Sequence, residues 1–106
     1  MLKVMFALYE KDGMSREEAL RYWSDTHGPI VREVPGVQRH VQHHAVGGPE
    51  GPPPFLGLAT LESADADAFA TAAADPASGR AVAGVANSAD AARLSPFPVE
   101  DHAIVC

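Results

Sequence analysis

The sequence is short of cysteine: the single one, Cys106, is the last of 106 residues. No intramolecular disulfide can form, and a cysteine metal cluster is excluded. Aromatic residues are scarce, at 7%, and no apolar run approaches the roughly 20 residues that a bilayer-spanning helix needs. Met1 to Glu10 alternates instead of presenting a basic stretch, an apolar block and a cleavage site, so the protein is expected to be cytoplasmic, with no membrane partner. Positive charge is limited too. Eight Lys and Arg against 14 Asp and Glu give a formal charge of -6, and the basic residues are scattered, so nucleic acid is not an expected partner. Paired carboxylates suited to glycoside hydrolysis, a nucleophile elbow and a phosphate-binding glycine loop are all missing. Small molecules and other proteins remain.

The length suits one domain, 1–106, without room for a second. A domain of this size removes only about 65% of its unfolded surface from water, so its stability is modest unless something covers the remainder. Leu2 to Tyr9 reads as a strand: Leu2, Val4, Phe6 and Leu8 form one face at period two, and Met5, Ala7 and Tyr9 make the other almost as apolar. Ser15-Arg16-Glu17-Glu18 is a capping box that opens a helix, with Met14 and Ala19 placed as a hydrophobic staple. Ala19, Trp23 and His27 follow at spacings of four on one stripe. Gly28-Pro29 is expected to interrupt this helix and leave His27 at its end, with a short turn restarting as far as Val34.

A second strand is expected within Val37 to Val46, and a third over Phe55 to Leu61 that is apolar on both faces. Between them, Gly47 to Pro54 is too rich in breakers to be anything but a loop. Ser63 is read as the cap of the next helix, which stops near Asp75-Pro76, and Ser78 to Ala92 as another helical stretch. The last strand falls within Leu94 to Val105, where Pro96 and Pro98 place it at a sheet edge. Most of the alanines lie between Ala64 and Ala92, giving helix propensity with little volume to bury.

The order strand, helix, strand, strand, helix in two pieces, strand is the ferredoxin-like split pattern: an α+β fold with one four-stranded antiparallel sheet and helices on one face. The first and third strands are apolar on both sides, so the second face also needs an apolar cover. The simplest cover is the same face of a second copy, giving a homodimer in which two sheets close a dimeric α+β barrel.

Four of the five histidines lie between His27 and His44. On a strand, His40 and His44 share a face but stand about 13 Å apart at roughly 3.3 Å per residue, while His43 points the other way. This run alone cannot hold one metal. A site would need a further ligand such as His27 or His102, and no metal is expected. Gln38, His40, Gln42 and His44 form a polar face that is either solvated at a sheet edge or turned into a small-molecule cavity; a bulge near Arg39 would bring His43 in instead. His27 either satisfies a helix-end carbonyl or stands at a fixed opening beside Trp23. Tyr9 ends the first strand and could supply a phenol to the same cavity.

Gly13-Met14-Ser15-Arg16-Glu17-Glu18, Tyr22-Trp23-Ser24-Asp25-Thr26-His27-Gly28-Pro29, Pro35-Gly36-Val37 and Val41-Gln42 resemble the EthD family, named from a protein of ethyl tert-butyl ether degradation. The resemblance continues more weakly from Pro54-Phe55-Leu56-Gly57 to Glu100-Asp101-His102. It implies a dimeric α+β barrel, the architecture that the two-sided strands suggest independently. Family membership is a poor guide to the reaction, because relatives include polyketide-tailoring enzymes and a methylmuconolactone isomerase, with cofactor-free monooxygenases on the wider fold. His27 matches the histidine that takes part in proton transfer in isomerase-like relatives. His40 stands where relatives usually have a tyrosine, His44 matches a common histidine of the second strand, and His43 replaces a frequent asparagine. The isomerase's loop histidine is missing; its segment here is Pro52-Pro53-Pro54, which argues against muconolactone isomerisation.

These readings converge on a small enzyme without cofactor that moves protons on an aromatic, polyketide-like or lactone molecule, as an isomerase, cyclase, dehydratase or decarboxylase. His27 is the expected acid or base, His40 or His44 polarises a carbonyl, and Gln42 orients it. Tyr9 and Trp23 are the other substrate-binding candidates, and Met5, Ala7, Trp23, Leu56 and Leu58 the expected apolar walls. The alternatives are a non-catalytic dimeric binding or accessory protein and, after it, a cofactor-free monooxygenase or a haem-handling barrel.

Overall fold

Strand β1 spans Leu2–Tyr9 and lies inside a four-stranded sheet, between β3 (Phe55–Ser63) and β4 (Ser95–Val99), while β2 (Arg39–His44) pairs with the far side of β3. All three pairings are antiparallel. The computed structural model describes every residue except Gly48, Pro52, Pro54 and Cys106, so the expected 47–54 loop and its proline segment lie partly outside the described residues. With the helices between the strands, this is the ferredoxin-like α+β arrangement that the element order predicts.

The register assigns the two faces. Val4 opposes Leu61 and Pro98, and Phe6 opposes Ala59 and Pro96, on the side that the helices cover. Met5, Ala7 and Leu58 point the other way and are half-buried. Pro96 and Pro98 do lie on an edge strand, where a missing donor breaks no ladder bond to a further strand. Leu8 pairs with Gly57 but Tyr9 with Phe55, which leaves Leu56 as the extra residue of a bulge and lets it join the inner core. Gly57 is required there: a Cβ would collide with the His43 carbonyl and come within 2.9 Å of Trp23 Cζ3.

Ser15 Oγ accepts from the Glu18 N–H at 3.1 Å and starts α1 (Arg16–Tyr22). The Ala19, Trp23 and His27 stripe is buried against the sheet. Contrary to expectation, Gly28-Pro29 does not end the helix. The chain passes through a π-helical turn, Trp23–His27, into α2 (Gly28–Arg32), with Gly28 N–H reaching back five residues to the Trp23 carbonyl. The one-residue insertion shifts the hydrogen-bond register so that Pro29 falls in the first turn of α2, where its absent donor is not needed. His27 is therefore held within a continuous helical segment.

Three further expectations are corrected. The next helix, α3 (Ala66–Ala74), is capped by Asp65, which accepts from the Ala68 N–H at 2.8 Å. Ser63 instead ends β3, fully buried, because the strand runs two residues beyond Leu61 in pairing with Leu2. Asp75 caps α4 (Pro76–Val85), so that helix begins before Ser78 and stops well short of Ala92, with only a single 3-10 turn at Ala91–Arg93 after it. The second strand is shorter than predicted, and the sheet irregularity is at Leu56 rather than near Arg39. No helix among the described residues is long and apolar enough to cross a membrane.

Candidate functional site

Between the helices and the inner sheet face lies a cavity of about 520 Å³. Its floor is Val4, Phe6, Leu8, Ala59 and Leu61, and the residues lining it include no Lys, Arg, Asp or Glu. Met5, Ala7 and Leu58 are not in its wall, as had been expected, because they occupy the outer face; Trp23 is, and Leu56 packs in the core beside it. Two histidines break the apolar lining, His27 from the π-turn and His40 from β2.

Each of these rings has one nitrogen engaged and one left over. His27 Nε2 lies 2.8 Å from the Ala81 carbonyl of α4. A carbonyl can only accept, so Nε2 carries the proton and, in the neutral ring, Nδ1 has a lone pair. Gly84 of α4 is buried beside the ring, where a Cβ would sit in ordinary contact with His27 Cδ2 at 3.5 Å. His40 Nδ1 lies 3.1 Å from the Thr60 carbonyl, which by the same argument leaves a lone pair on Nε2. His27 Nδ1 and His40 Nε2 are both buried and without a hydrogen-bond partner among the described residues. Leaving one such atom unpaired costs about 1–3 kcal/mol, so two on one cavity call for an explanation. Burial holds the His40 pKa below its usual value; the Thr60 carbonyl pulls it up, and the nearby His27 pushes it further down. Its neutral, basic form is thereby favoured.

The other sequence candidates are placed elsewhere. His44, expected beside His40, does not reach the cavity: its ring stacks on Trp23 with centroids 4.8 Å apart and planes at 16°. Its Nε2 donates to Gln42 Oε1 at 2.9 Å, while Gln42 Nε2 donates to the Trp23 carbonyl at 2.8 Å. That carbonyl is where the π-turn begins, so Gln42 and His44 brace the turn that carries His27. Partial burial lowers the His44 pKa. Tyr9 is also away from the cavity, its ring lying under the Arg93 guanidinium at 3.8 Å; along β1 it has the parity of Met5 and Ala7, not of the cavity floor. His43 is exposed on the outer side of β2. His102 lies beyond β4, exposed and 3.3 Å from Glu100. Among the described residues no group of three or more His, Cys, Asp or Glu is arranged to hold a metal ion.

Sequence reading missed Ala81, whose part comes from a backbone carbonyl in an alanine-rich helix. A pattern of side chains carries no signal for it.

The split order, the single sheet and the cavity between sheet and helices define a ferredoxin-like α+β protein with an internal apolar cavity. More narrowly, the model of the EthD domain matches residues 11–92, and the chain belongs to the EthD family. The fold is shared with an ethyl tert-butyl ether degradation family protein from Bacillus halodurans at a TM-score of 0.78 and 20% identity, covering 96% of this chain and 100% of that one. A dimeric ferredoxin-like protein of unknown function from Jannaschia superposes with a TM-score of 0.67 at 14% identity, over 95% of this chain and 100% of the other. SnoaB, a cofactor-independent oxygenase from Streptomyces nogalater, gives a TM-score of 0.64 at 14% identity, over 94% and 91% of the two chains. None of the curated proteins searched matches the sequence.

Proposed function

We propose that the protein is a cofactor-free enzyme of proton transfer, acting on an aromatic, polyketide-like or lactone molecule with an acidic C–H beside a carbonyl. The observation that carries this reading is the pair of imidazoles lining one apolar cavity, each with a buried ring nitrogen that has no partner among the described residues. The neutral His40 Nε2 takes the proton as the C–H bond breaks, and the electron pair moves onto the carbonyl oxygen as an enolate. The N–H so formed returns the proton to another carbon, which completes an isomerisation or begins a cyclisation. His27, when protonated at Nδ1, donates to the enolate oxygen, a hydrogen bond that gains strength among apolar walls. Isomerisations, aldol-type cyclisations and dehydrations beside a carbonyl can begin from such an enolate, and a decarboxylation reaches one by breaking a C–C bond and losing CO₂, after which a histidine N–H supplies the proton.

Hydrogen–deuterium exchange at C1 of 2-tetralone in D₂O, followed by NMR, tests this reading without knowledge of the natural substrate. We expect exchange above the buffer rate, falling about 100-fold or more in His40→Ala and in His27→Ala. A wild-type protein no faster than buffer, or variants as fast as wild type, would leave a binding protein as the better description. The likeness to a cofactor-independent oxygenase favours one second reading, in which the same carbanion passes to dioxygen. Oxygen uptake in step with loss of anthrone would put that reading ahead.

We infer also that two copies of this domain, 1–106, associate through the outer sheet face in the cytoplasm. Half-buried Met5, Ala7 and Leu58 on that face and the dimeric ferredoxin-like neighbour support the association.

A further inference from the structure

A second cavity, of about 390 Å³, lies between α2 and the edge strand β2, and it shares Val31, Val37 and His40 with the first. The two volumes together remain within the range of roughly 300–1,000 Å³ usual for small-molecule sites. Their walls differ in kind. The first holds no Lys, Arg, Asp or Glu. Arg32, Arg39, Gln38 and Gln42 line the second, and no Asp or Glu does, in a chain whose formal charge is -6.

The two arginines are not equivalent. Arg39 turns toward the opposite sheet face, with Nη1 3.7 Å from Glu62 Oε2. The neighbouring acid of Arg32, Glu33, is bound by Arg80 at 3.1 Å, and Arg32 itself has no ion pair among the described residues. A free guanidinium with no competing carboxylate in the wall suits one ligand group above others, a carboxylate that can accept two parallel N–H bonds.

We propose that the second cavity receives a carboxylate carried by the same ligand whose ring system fills the first, with Arg32 as its anchor. The proposal rests on the reading of the first cavity as the reaction site, and it narrows the substrate class to aromatic or polyketide-like acids. His40 lines both cavities, so a ligand that spans them from Arg32 lies against its side chain. Anchoring the acid fixes which ring carbon lies there.

Calorimetric titration of the full chain with anthraquinone-2-carboxylate and with anthraquinone-2-carboxamide tests this, because the two share a ring system and differ in charge. We expect the carboxylate to bind about tenfold tighter, the ratio that one charge-assisted contact of about 1.4 kcal/mol provides. Arg32→Gln should abolish that preference while leaving amide binding unchanged, and Arg32→Lys should restore only part of it. Equal binding of the two probes, or a preference that survives in Arg32→Gln, overturns the carboxylate anchor and leaves the cavity reading intact. Failure of both probes to bind overturns the two together.

Discussion

The two faces of one sheet carry similar residues and meet different fates. On the inner face Val4, Phe6 and Leu8 are roofed by helices and enclose a cavity with two basic nitrogens; on the outer face Met5, Ala7 and Leu58 of the same strands remain half-exposed. Apolar character alone therefore does not make a site. What separates the faces is the edge strand β2, which sends His40, Gln42 and His44 inward and His43 outward, together with His27 from the π-turn. The polar groups of β2 enter in a row because the side-chain period is two.

The largest effect expected from breaking this contrast is on the inner face. Trp23 is 1% exposed; it carries the His44 stack and begins the π-turn. Trp23→Ala should cost about 3–5 kcal/mol in urea denaturation, a large share of the roughly 5–15 kcal/mol that holds a domain folded. A loss below about 1 kcal/mol would mean that the helices do not depend on this contact. On the outer face a charge should act on association more than on folding. Leu58→Glu is expected to halve the mass seen by light scattering with the far-ultraviolet circular dichroism unchanged. The thermal midpoint of the wild type, but not of the variant, should rise with protein concentration. A wild type that scatters as one chain would refute the association.

Much of the contrast could be read from the residues, and its failures have physical causes. Period two separated Val4, Phe6 and Leu8 from Met5 and Ala7, yet nothing in an alternating pattern says which set the helices will cover, so the cavity walls were assigned to the wrong side. The stripe of Ala19, Trp23 and His27 is buried as its spacing by four predicts, because the wider π-turn over Trp23–His27 still leaves residues four apart on nearly the same face. Pro29 misled for a local reason: the rule against proline inside a helix assumes the i to i-4 ladder, and the π-turn changes that ladder one turn earlier. His44 was paired with His40 by parity, which is right for the face; how far each reaches along the strand was decided by the Trp23 ring. Tyr9 has the parity of Met5 and Ala7, so it failed with them once the helices covered the other face.

The smallest effect expected is also the one that reads the inner face most directly. His40 and His44 both have lowered pKa values in the folded protein, in each case with burial as the largest cause. A histidine whose folded pKa lies below the unfolded value of about 6.5 is neutral in both states at higher pH, so its contribution to stability is complete there. As the pH falls through 6.5 the unfolded chain takes up the proton first. Stability should then decline until the folded pKa is reached, with a slope of at most about 1.4 kcal/mol per pH unit for one group. Urea midpoints measured between pH 7.5 and pH 5 should show this decline, and His40→Leu should flatten part of it. A wild-type stability that is level across that range would mean that water already reaches the imidazoles; a base in a wet chamber would have no depressed pKa to keep it neutral, and the contrast between the two faces would reduce to packing alone.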